Sequence, residues 1–417
     1  MRPIYIWQYP EWPNFSWNER EISSILSEIR NLQGQLVGMM RMIGFDMQNA
    51  ASLLVMTDDI VKSCEIEGVI LDSERVRSSV ARRLGLPSEG LPEPDHYTEG
   101  LVQVMLDAVL NAEKELTKER LFDWHSALFP TGRSGAYKIT VADWRQGDEP
   151  MQVVSGAMGH ERVHYEAPPS AAVPQMMSDF LKWVNSDGST GSPTKLGSTK
   201  NVRINSVVFS PRHSESKLSS ALGSTKTLDP VIKAAIAHLW FVSIHPFDDG
   251  NGRLTRTITD MLLTRADGMP HRFYSMSATI CQNRKDYYAA LEHTTIGGTD
   301  ITSWLKWFLQ TLRLSLLDAM RTVERTIKKS QFWQEHRGVS MNERQTKMVN
   351  LLWDGLEGKL TNAKWAKITK TSSSTALRDI QELVSAGVLK VSESGGRSTN
   401  YRLAMDDDSA EHLDLIQ

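Results

Sequence analysis

The sequence predicts a mainly α-helical protein, and three observations carry that expectation. Apolar residues recur at helical spacing over long stretches, first at Ile22, Ile25, Ile29, Leu32, Leu36, Met39 and Ile43. Strand-like runs are short and few: Met151–Tyr165, Val202–Phe209 and Val388–Leu403. Hydrophobic residues make up 40% of the 417, enough to fill real cores in two or three domains.

Taken in order, residues 1–20 hold Trp7, Trp12 and Trp17 among Pro3, Pro10 and Pro13, which suggests an extended arm pinned by aromatics. The seam from Ile22 to Ile43 reads as a helix packed on the rest of the chain, or else as a homodimer surface. Ala50–Glu67 is apolar at Leu53, Leu54, Ile60 and Val61 and lacks proline, so a helix ending near Gly68 is expected. Together these form an N-terminal helical domain, 1–95. A second domain, 96–330, opens with further helices over 100–145. Met151–Gly156 and Glu161–Tyr165 then flank a turn, which predicts a hairpin.

Between the helix ending near Val184 and the one starting near Asp229 lies an unusual stretch, 186–227. It holds 11 serines in 42 residues and repeats Leu-Gly-Ser-Thr-Lys, a composition that predicts a flexible insert. Helices follow from Arg253 to about Arg265 and from Arg284 onward. The last region, 339–405, reads as three helices (Asn342–Trp353, Asn362–Lys370, Ser372–Ala386) and a hairpin of Val388–Val391 with Thr399–Leu403. That order looks like a winged helix-turn-helix. Its ten Lys/Arg against six Asp/Glu, with Arg378 beside Asp379 and Glu382, make a weak footprint for DNA, so a protein-interaction role stands beside it. The acidic tail, 406–417, reads as solvated.

Composition removes several classes of function. A net charge of −3 gives no general attraction to nucleic acid or membrane. Cys64 and Cys281 are too few and too far apart for a disulfide framework or a zinc site. No run of 18 apolar residues and no signal-like N-terminus is present, so a cytoplasmic protein without membrane contact is expected.

The chemistry concentrates in Ile244-His245-Pro246-Phe247-Asp248-Asp249-Gly250-Asn251-Gly252-Arg253-Leu254-Thr255-Arg256. Gly250 and Gly252 let the backbone turn tightly ahead of a helix whose unpaired N–H groups and dipole favour an anion. Arg253 and Arg256 share one helix face and can fork onto phosphate oxygens. Asp249 suits Mg²⁺, which takes one or two carboxylates plus substrate phosphates. His245 titrates near neutrality and suits a general base.

This string resembles the Fic-family motif, His-Pro-Phe-x-(Asp/Glu)-Gly-Asn-Gly-Arg-x-x-Arg, at every fixed position. The resemblance implies a helical Fic core that transfers AMP from ATP to a Ser, Thr or Tyr hydroxyl of a target protein, with pyrophosphate leaving. By position, His245 would be the base and Asp249 the Mg²⁺ ligand. Phe247, Asp248, Gly250, Asn251, Gly252, Arg253 and Arg256 would form the nucleotide site, with Phe247 anchoring the loop. A glycine rather than a lysine at 252 argues for nucleotidyl transfer over phosphate transfer.

Ser63-Cys64-Glu65-Ile66-Glu67-Gly68 is similar to the family's inhibitory pattern, (Ser/Thr)-x-x-x-Glu-(Gly/Asn). The resemblance implies that Glu67, with Ser63 on the same face and Gly68 closing the helix, competes with the γ-phosphate for Arg256. In some members the equivalent glutamate also serves AMP removal. The hairpin corresponds to the flap that docks a target strand, through Val153, Val154, Ser155, Gly156, Val163, His164 and Tyr165. His160 and His164 read as flap surface residues. Tyr287 and Tyr288 match a pair that frames the nucleotide, although Thr295 stands where some members carry an asparagine. The other reading is a transcriptional regulator that senses nucleotide through this domain and binds DNA through 339–405.

Overall fold

The structure is a computed structural model that describes residues 3–42, 45–88, 90–155, 160, 162–186, 228–269, 272–353, 356, 358–392 and 399–404. The insert, the Gly156 turn, the 393–398 hairpin tip and the acidic tail therefore lie almost wholly outside the described residues. The chain divides into two compact units, 1–320 and 321–417. The fold is mainly α, with three small antiparallel sheets among the described residues.

The first unit is built around two helices, α7 (Pro230–Ile244) and α8 (Asn251–Asp267). Because α7 is apolar on nearly every side, it can only be a core helix, and Ile232, Ala235, Ile236, Leu239, Trp240 and Phe241 are all buried. Asp229 caps it by accepting from the Val231 N–H at 2.8 Å, and Pro230 supplies the pre-set first turn. Although α8 is far more polar, it is buried too. Its threonines return their hydroxyls to the preceding turn (Thr255 to the Asn251 carbonyl, Thr259 to Thr255, Thr264 to Asp260), so burial leaves them satisfied. His238 on α7 bridges Thr259 Oγ1 at 2.9 Å and the Tyr287 hydroxyl at 3.0 Å. Burial holds its pKa down, to about 3, so it is a neutral strut.

Preceding helices wrap this pair: α1 (Glu19–Met42), α2 (Phe45–Ile66), α3 (Ser73–Arg83), α4 (His96–Leu110), α5 (Lys118–Leu128) and α6 (Val173–Asn185). The α1 seam is covered by the chain itself: Ile22, Ile29, Leu32, Leu36 and Met40 are buried, and Arg30 pairs with Asp229 at 2.6 Å. Met40, not Met39, takes the inner position. Leu54 on α2 faces out, contrary to its place in the expected apolar set.

The N-terminal arm is pinned as expected. Trp12 and Phe15 meet Trp240 edge-on, and Trp7 Nε1 donates to the Glu166 carbonyl at 2.8 Å. The helical reading of 100–145 holds only to Leu128. A two-residue ladder, β1 (Arg133–Ser134) with β2 (Tyr137–Lys138), and an irregular run follow, because Gly132 and Gly135 both adopt positive φ.

The expected hairpin is present as β3 (Gln152–Ser155) and β4 (Arg162–Glu166), with a bulge between Val153 and Val154. α9 (Met276–Gln282), α10 (Arg284–Thr295) and the start of α11 (Thr302–Glu335) close the unit.

In the second unit, α12 (Glu343–Trp353), α13 (Asn362–Thr369) and α14 (Ser373–Ser385) pack with a three-stranded sheet. Its order is β5 (Leu360–Thr361), β7 (Asn400–Leu403), β6 (Leu389–Val391). Trp353, Trp365, Met348, Ile380 and Leu383 form its core. The strand β5 is too short to leave a periodic signal in the sequence. Asp379, beside Arg378, is buried and gripped by Arg344 through Nε and Nη2 at 2.9 and 3.0 Å.

Candidate active site

The segment 245–250 is the turn joining α7 to α8, and nearly every group in it is spoken for. His245 ends α7 in the left-handed region (φ 51, ψ 59), a conformation that costs a non-glycine residue about 1–2 kcal/mol. Its N–H still reaches the Phe241 carbonyl at 3.1 Å, and its own carbonyl accepts from Arg145 Nε at 2.8 Å. Nδ1 lies 3.2 Å from the Val242 carbonyl. A carbonyl can only accept, so the proton sits on Nδ1 and the lone pair on Nε2. Burial, helped by the nearby Arg145 charge, takes the imidazole pKa down to about 4 against the opposing pull of the Val242 carbonyl, Glu67 and Asp249. His245 is therefore neutral at pH 7.

Phe247 is fully buried and stacked on His125, with ring centroids 4.1 Å apart and planes at 12°. It anchors the loop, as the sequence suggested, and its ring has no access to a nucleotide. Asn251 fastens the same turn. Its amide accepts from the Phe247 N–H at 3.0 Å and donates to the Phe247 carbonyl at 2.8 Å. That closes the turn with one N–H and one lone pair of the amide and leaves its second N–H. Asp248 likewise accepts from the Thr140 N–H at 2.8 Å, so it fastens the loop to the run after β2.

What remains for an anion is the helix start and the two arginines. Gly250 sits at φ 84, where an added Cβ would lie 2.8 Å from the Phe129 ring, and no side chain caps the N-terminus of α8. Arg253 donates from Nη1 to the Tyr97 hydroxyl at 2.8 Å and lies over the Phe129 ring. Its Nε is buried without a partner. Asp249 offers a half-exposed carboxylate, touched by the Ser134 hydroxyl and the Gly250 N–H. One accessible carboxylate beside an uncapped helix start fits Mg²⁺ shared with phosphates.

Arg256 is buried and engaged by α2. Nε donates to Ser63 Oγ at 2.8 Å, and Nη2 donates to the Ser63 carbonyl at 2.9 Å and to Glu67 Oε1 at 2.8 Å. Burial alone would lower the guanidinium pKa, but the Glu67 carboxylate and nearby tyrosines raise it overall. Nη1 is buried with no hydrogen-bond partner. Gly68, at φ 79, ends the helix just past this contact. A Cβ on residue 252 would fall 2.2 Å from Glu67 Oε1. Gly252 thus makes the space in which the carboxylate rests.

The tyrosine pair splits. Tyr287 is 1% exposed and bonded to His238, which removes it from the expected nucleotide set. Tyr288 is 38% exposed, and its hydroxyl lies 3.4 Å from the Ile66 carbonyl at the end of α2. Thr295 is buried.

The flap splits in the same way. Val154 and Val163 are exposed, and the hairpin is a two-stranded sheet with free edges among the described residues. Val153 packs instead against the cluster of Tyr5, Tyr165 and Ala167. Tyr165 is buried, donating to the Ser243 carbonyl at 2.5 Å, and so does not belong with the docking residues. His164 is not a bare surface residue: it lies between Ser155 Oγ at 2.5 Å and Glu292 at 2.8 Å. His160 is exposed.

The model described as "Fic/DOC family" matches residues 115–263. Residues 115–263 are a Fic/DOC domain. The model described as "Domain of unknown function (DUF4172)" matches residues 5–86, so Glu67 and Arg256 belong to different matched regions and meet across them.

The chain is similar to the protein adenylyltransferase fic-1 of Caenorhabditis elegans, 33% identical over 102 residues, 24% of this chain and 18% of that protein. It is also similar to the protein adenylyltransferase Fic of Drosophila melanogaster, 52% identical over 46 residues, 11% and 9% of the two chains. The chain thus spans less than a fifth of the length of these curated relatives. Among solved structures, a Fic family protein from Desulfovibrio desulfuricans G20 aligns over 93% of this chain and 96% of that one, at 18% identity and a TM-score of 0.46. No helix among the described residues is long and apolar enough to cross a membrane.

Sequence reasoning missed His125, Ser134, Thr140, Arg145 and Tyr97. All reach the Fic motif from irregular segments or separate helices, and no periodicity or spacing marks them.

Proposed function

We propose that this chain is a protein adenylyltransferase, moving AMP from ATP to a hydroxyl of a protein target and of itself. The observation that carries the proposal is the pairing of a neutral His245 with two arginines around an uncapped helix start. Each arginine keeps one buried nitrogen without a partner. Forked guanidinium donors beside a free helix start suit an incoming phosphate.

In the proposed reaction the target hydroxyl oxygen attacks the α-phosphorus of ATP while His245 Nε2 takes its proton. The bond from the α-phosphorus to the bridging oxygen breaks, and pyrophosphate leaves. The N–H groups at the start of α8 receive the α-phosphate charge, and Arg253 receives the outer phosphates. Asp249 would hold Mg²⁺, which neutralises phosphate charge when bound. The relatives' names support AMP transfer, and the choice among serine, threonine and tyrosine is part of the proposal.

Glu67 restrains the reaction in this reading. With Arg256 held by α2, the γ-phosphate lacks its cation and the α-phosphate rests out of line with the acceptor. The exposed Val154 and Val163 and the open edges of the β3–β4 hairpin support target docking by strand addition. The second unit has the element order of a winged helix. Its Arg378 lies 3.9 Å from Glu382 and Leu377 is part-exposed, which favours a protein partner over DNA.

Incubation with lysate and ATP labelled at either the α- or the γ-phosphate tests the assignment. AMP transfer requires protein label from the α-position alone. Label from the γ-position would mean phosphate transfer. A salt-dependent DNA shift without protein label would favour the regulator reading.

A further inference from the structure

Residues 140–145 lie in the irregular run after β2 and reach the 245–250 turn from outside the motif. The Thr140 N–H donates to Asp248, and the Ala142 N–H lies 3.3 Å from Nδ1 of His125. His125 in turn reaches the Asp249 carbonyl through Nε2 at 3.1 Å and stacks on Phe247. The Arg145 N–H donates to the Pro246 carbonyl at 2.9 Å.

The Arg145 side chain is the unusual member. It is 3% exposed, and the contacts of its guanidinium are carbonyls: Nε meets His245 at 2.8 Å, and Nη2 meets Pro168, just past the flap strand β4. A buried arginine ordinarily has a carboxylate to offset its desolvation. Burial here lowers the Arg145 pKa, with Tyr165 and Asp248 opposing from a distance.

We propose that Arg145 is a positioning residue for His245, holding the strained backbone of the base through its carbonyl and placing its charge beside the imidazole. The inference rests on the AMP-transfer reading for its kinetic consequence only. Its structural consequence is independent of that reading. The carbonyl contact fixes a backbone that a non-glycine residue otherwise avoids, and with it the direction of the ring. The charge acts on the same ring. Groups facing the His245 imidazole are the Val242 carbonyl from α7, Arg145 from the irregular run, Glu67 from α2 and Asp249 from the turn. Of these, only Arg145 disfavours a second proton. By the same contacts Arg145 joins the base to the root of the flap, where a target strand would dock.

Two variants separate geometry from charge: Arg145→Lys keeps the cation and loses the fork, and Arg145→Met loses both. The first readout is the histidine NMR titration of the full chain, with the His245 signal assigned through His245→Ala. Arg145→Met should move the His245 titration upward, while Arg145→Lys should leave it near the wild-type position. An unmoved titration in Arg145→Met overturns the proposal whether or not the protein transfers AMP. The second readout is self-labelling in a Glu67→Gly background. Both variants should lower kcat tenfold or more and keep the KM for ATP within about threefold. If the Glu67→Gly parent labels and Arg145→Lys labels as fast, the positioning role is wrong. A parent that does not label contradicts the AMP-transfer reading instead, and the titration still decides the case for Arg145.

Discussion

At its first end, the segment 245–256 is fastened by the main chain. The His245 and Pro246 carbonyls are held by Arg145, the Asp249 carbonyl by His125, and the Phe247 peptide by Asn251. At its other end, Arg256 is held by Ser63 and by the terminal carboxylate of Glu67, which is 32% exposed and reaches in from another helix. The contacts at the first end occupy groups that no substrate needs, so a nucleotide can arrive without breaking them. The contact at the second end occupies the guanidinium that a triphosphate also wants. In the proposed function, one end is a fixed catalytic frame and the other an exchangeable lock. Arg145 and Arg256 are both buried, so burial alone does not distinguish the two ends. The identity of the partner does.

The comparison breaks most readily at the fixed end. His245→Ala in the Glu67→Gly background should lower self-labelling by about 10²–10⁴-fold, the usual contribution of a general base, with ATP still bound. Label persisting near the parental rate would remove His245 from the chemistry.

The lock is tested from its far side by Gly252→Ala. The added methyl takes the place of Glu67 Oε1, so the carboxylate must leave. A hydrogen bond to a charged group contributes about 1.5–3 kcal/mol, so labelling should rise roughly tenfold above wild type, and amide exchange over 60–68 should quicken. Unchanged exchange there would mean that Glu67 does not depend on the space at 252.

The smallest effect sharpens the frame. His245 has its pKa lowered to about 4, so the base stays neutral as pH falls from 8. Labelling by Glu67→Gly should stay flat to about pH 5 and fall below it as the ring takes its second proton. A decline centred near the ordinary histidine pKa, about 6.5, would show the ring to be solvated rather than buried.

Legibility in the sequence followed the same division. The Fic motif is contiguous, so residue types alone suggested base, anion site and metal ligand in one stretch. Ser63 and Glu67 were legible through their resemblance to the family's inhibitory pattern, and their four-residue spacing on a helix places them on one face. The frame was not legible. Arg145 and Thr140 from irregular backbone and His125 from α5 approach from 100 or more residues away, and no pattern announces a carbonyl contact. The closure of the Asn251 amide over Phe247 was not legible either, because only the folded turn shows it. Tyr287 and Tyr288 looked equivalent as neighbours. Adjacent residues on a helix point about 100° apart, which sends one into the core and leaves the other at the end of α2. The helical core itself was readable from its apolar periods, except where glycines at positive φ ended it after Leu128.

The most direct measurement of the central claim is the rate of self-labelling by α-labelled ATP in wild type, Glu67→Gly and Glu67→Gly with His245→Ala. A lock on a working frame predicts slow labelling in wild type, labelling at least tenfold faster in Glu67→Gly, and none in the double variant. Equal rates in wild type and Glu67→Gly would contradict it.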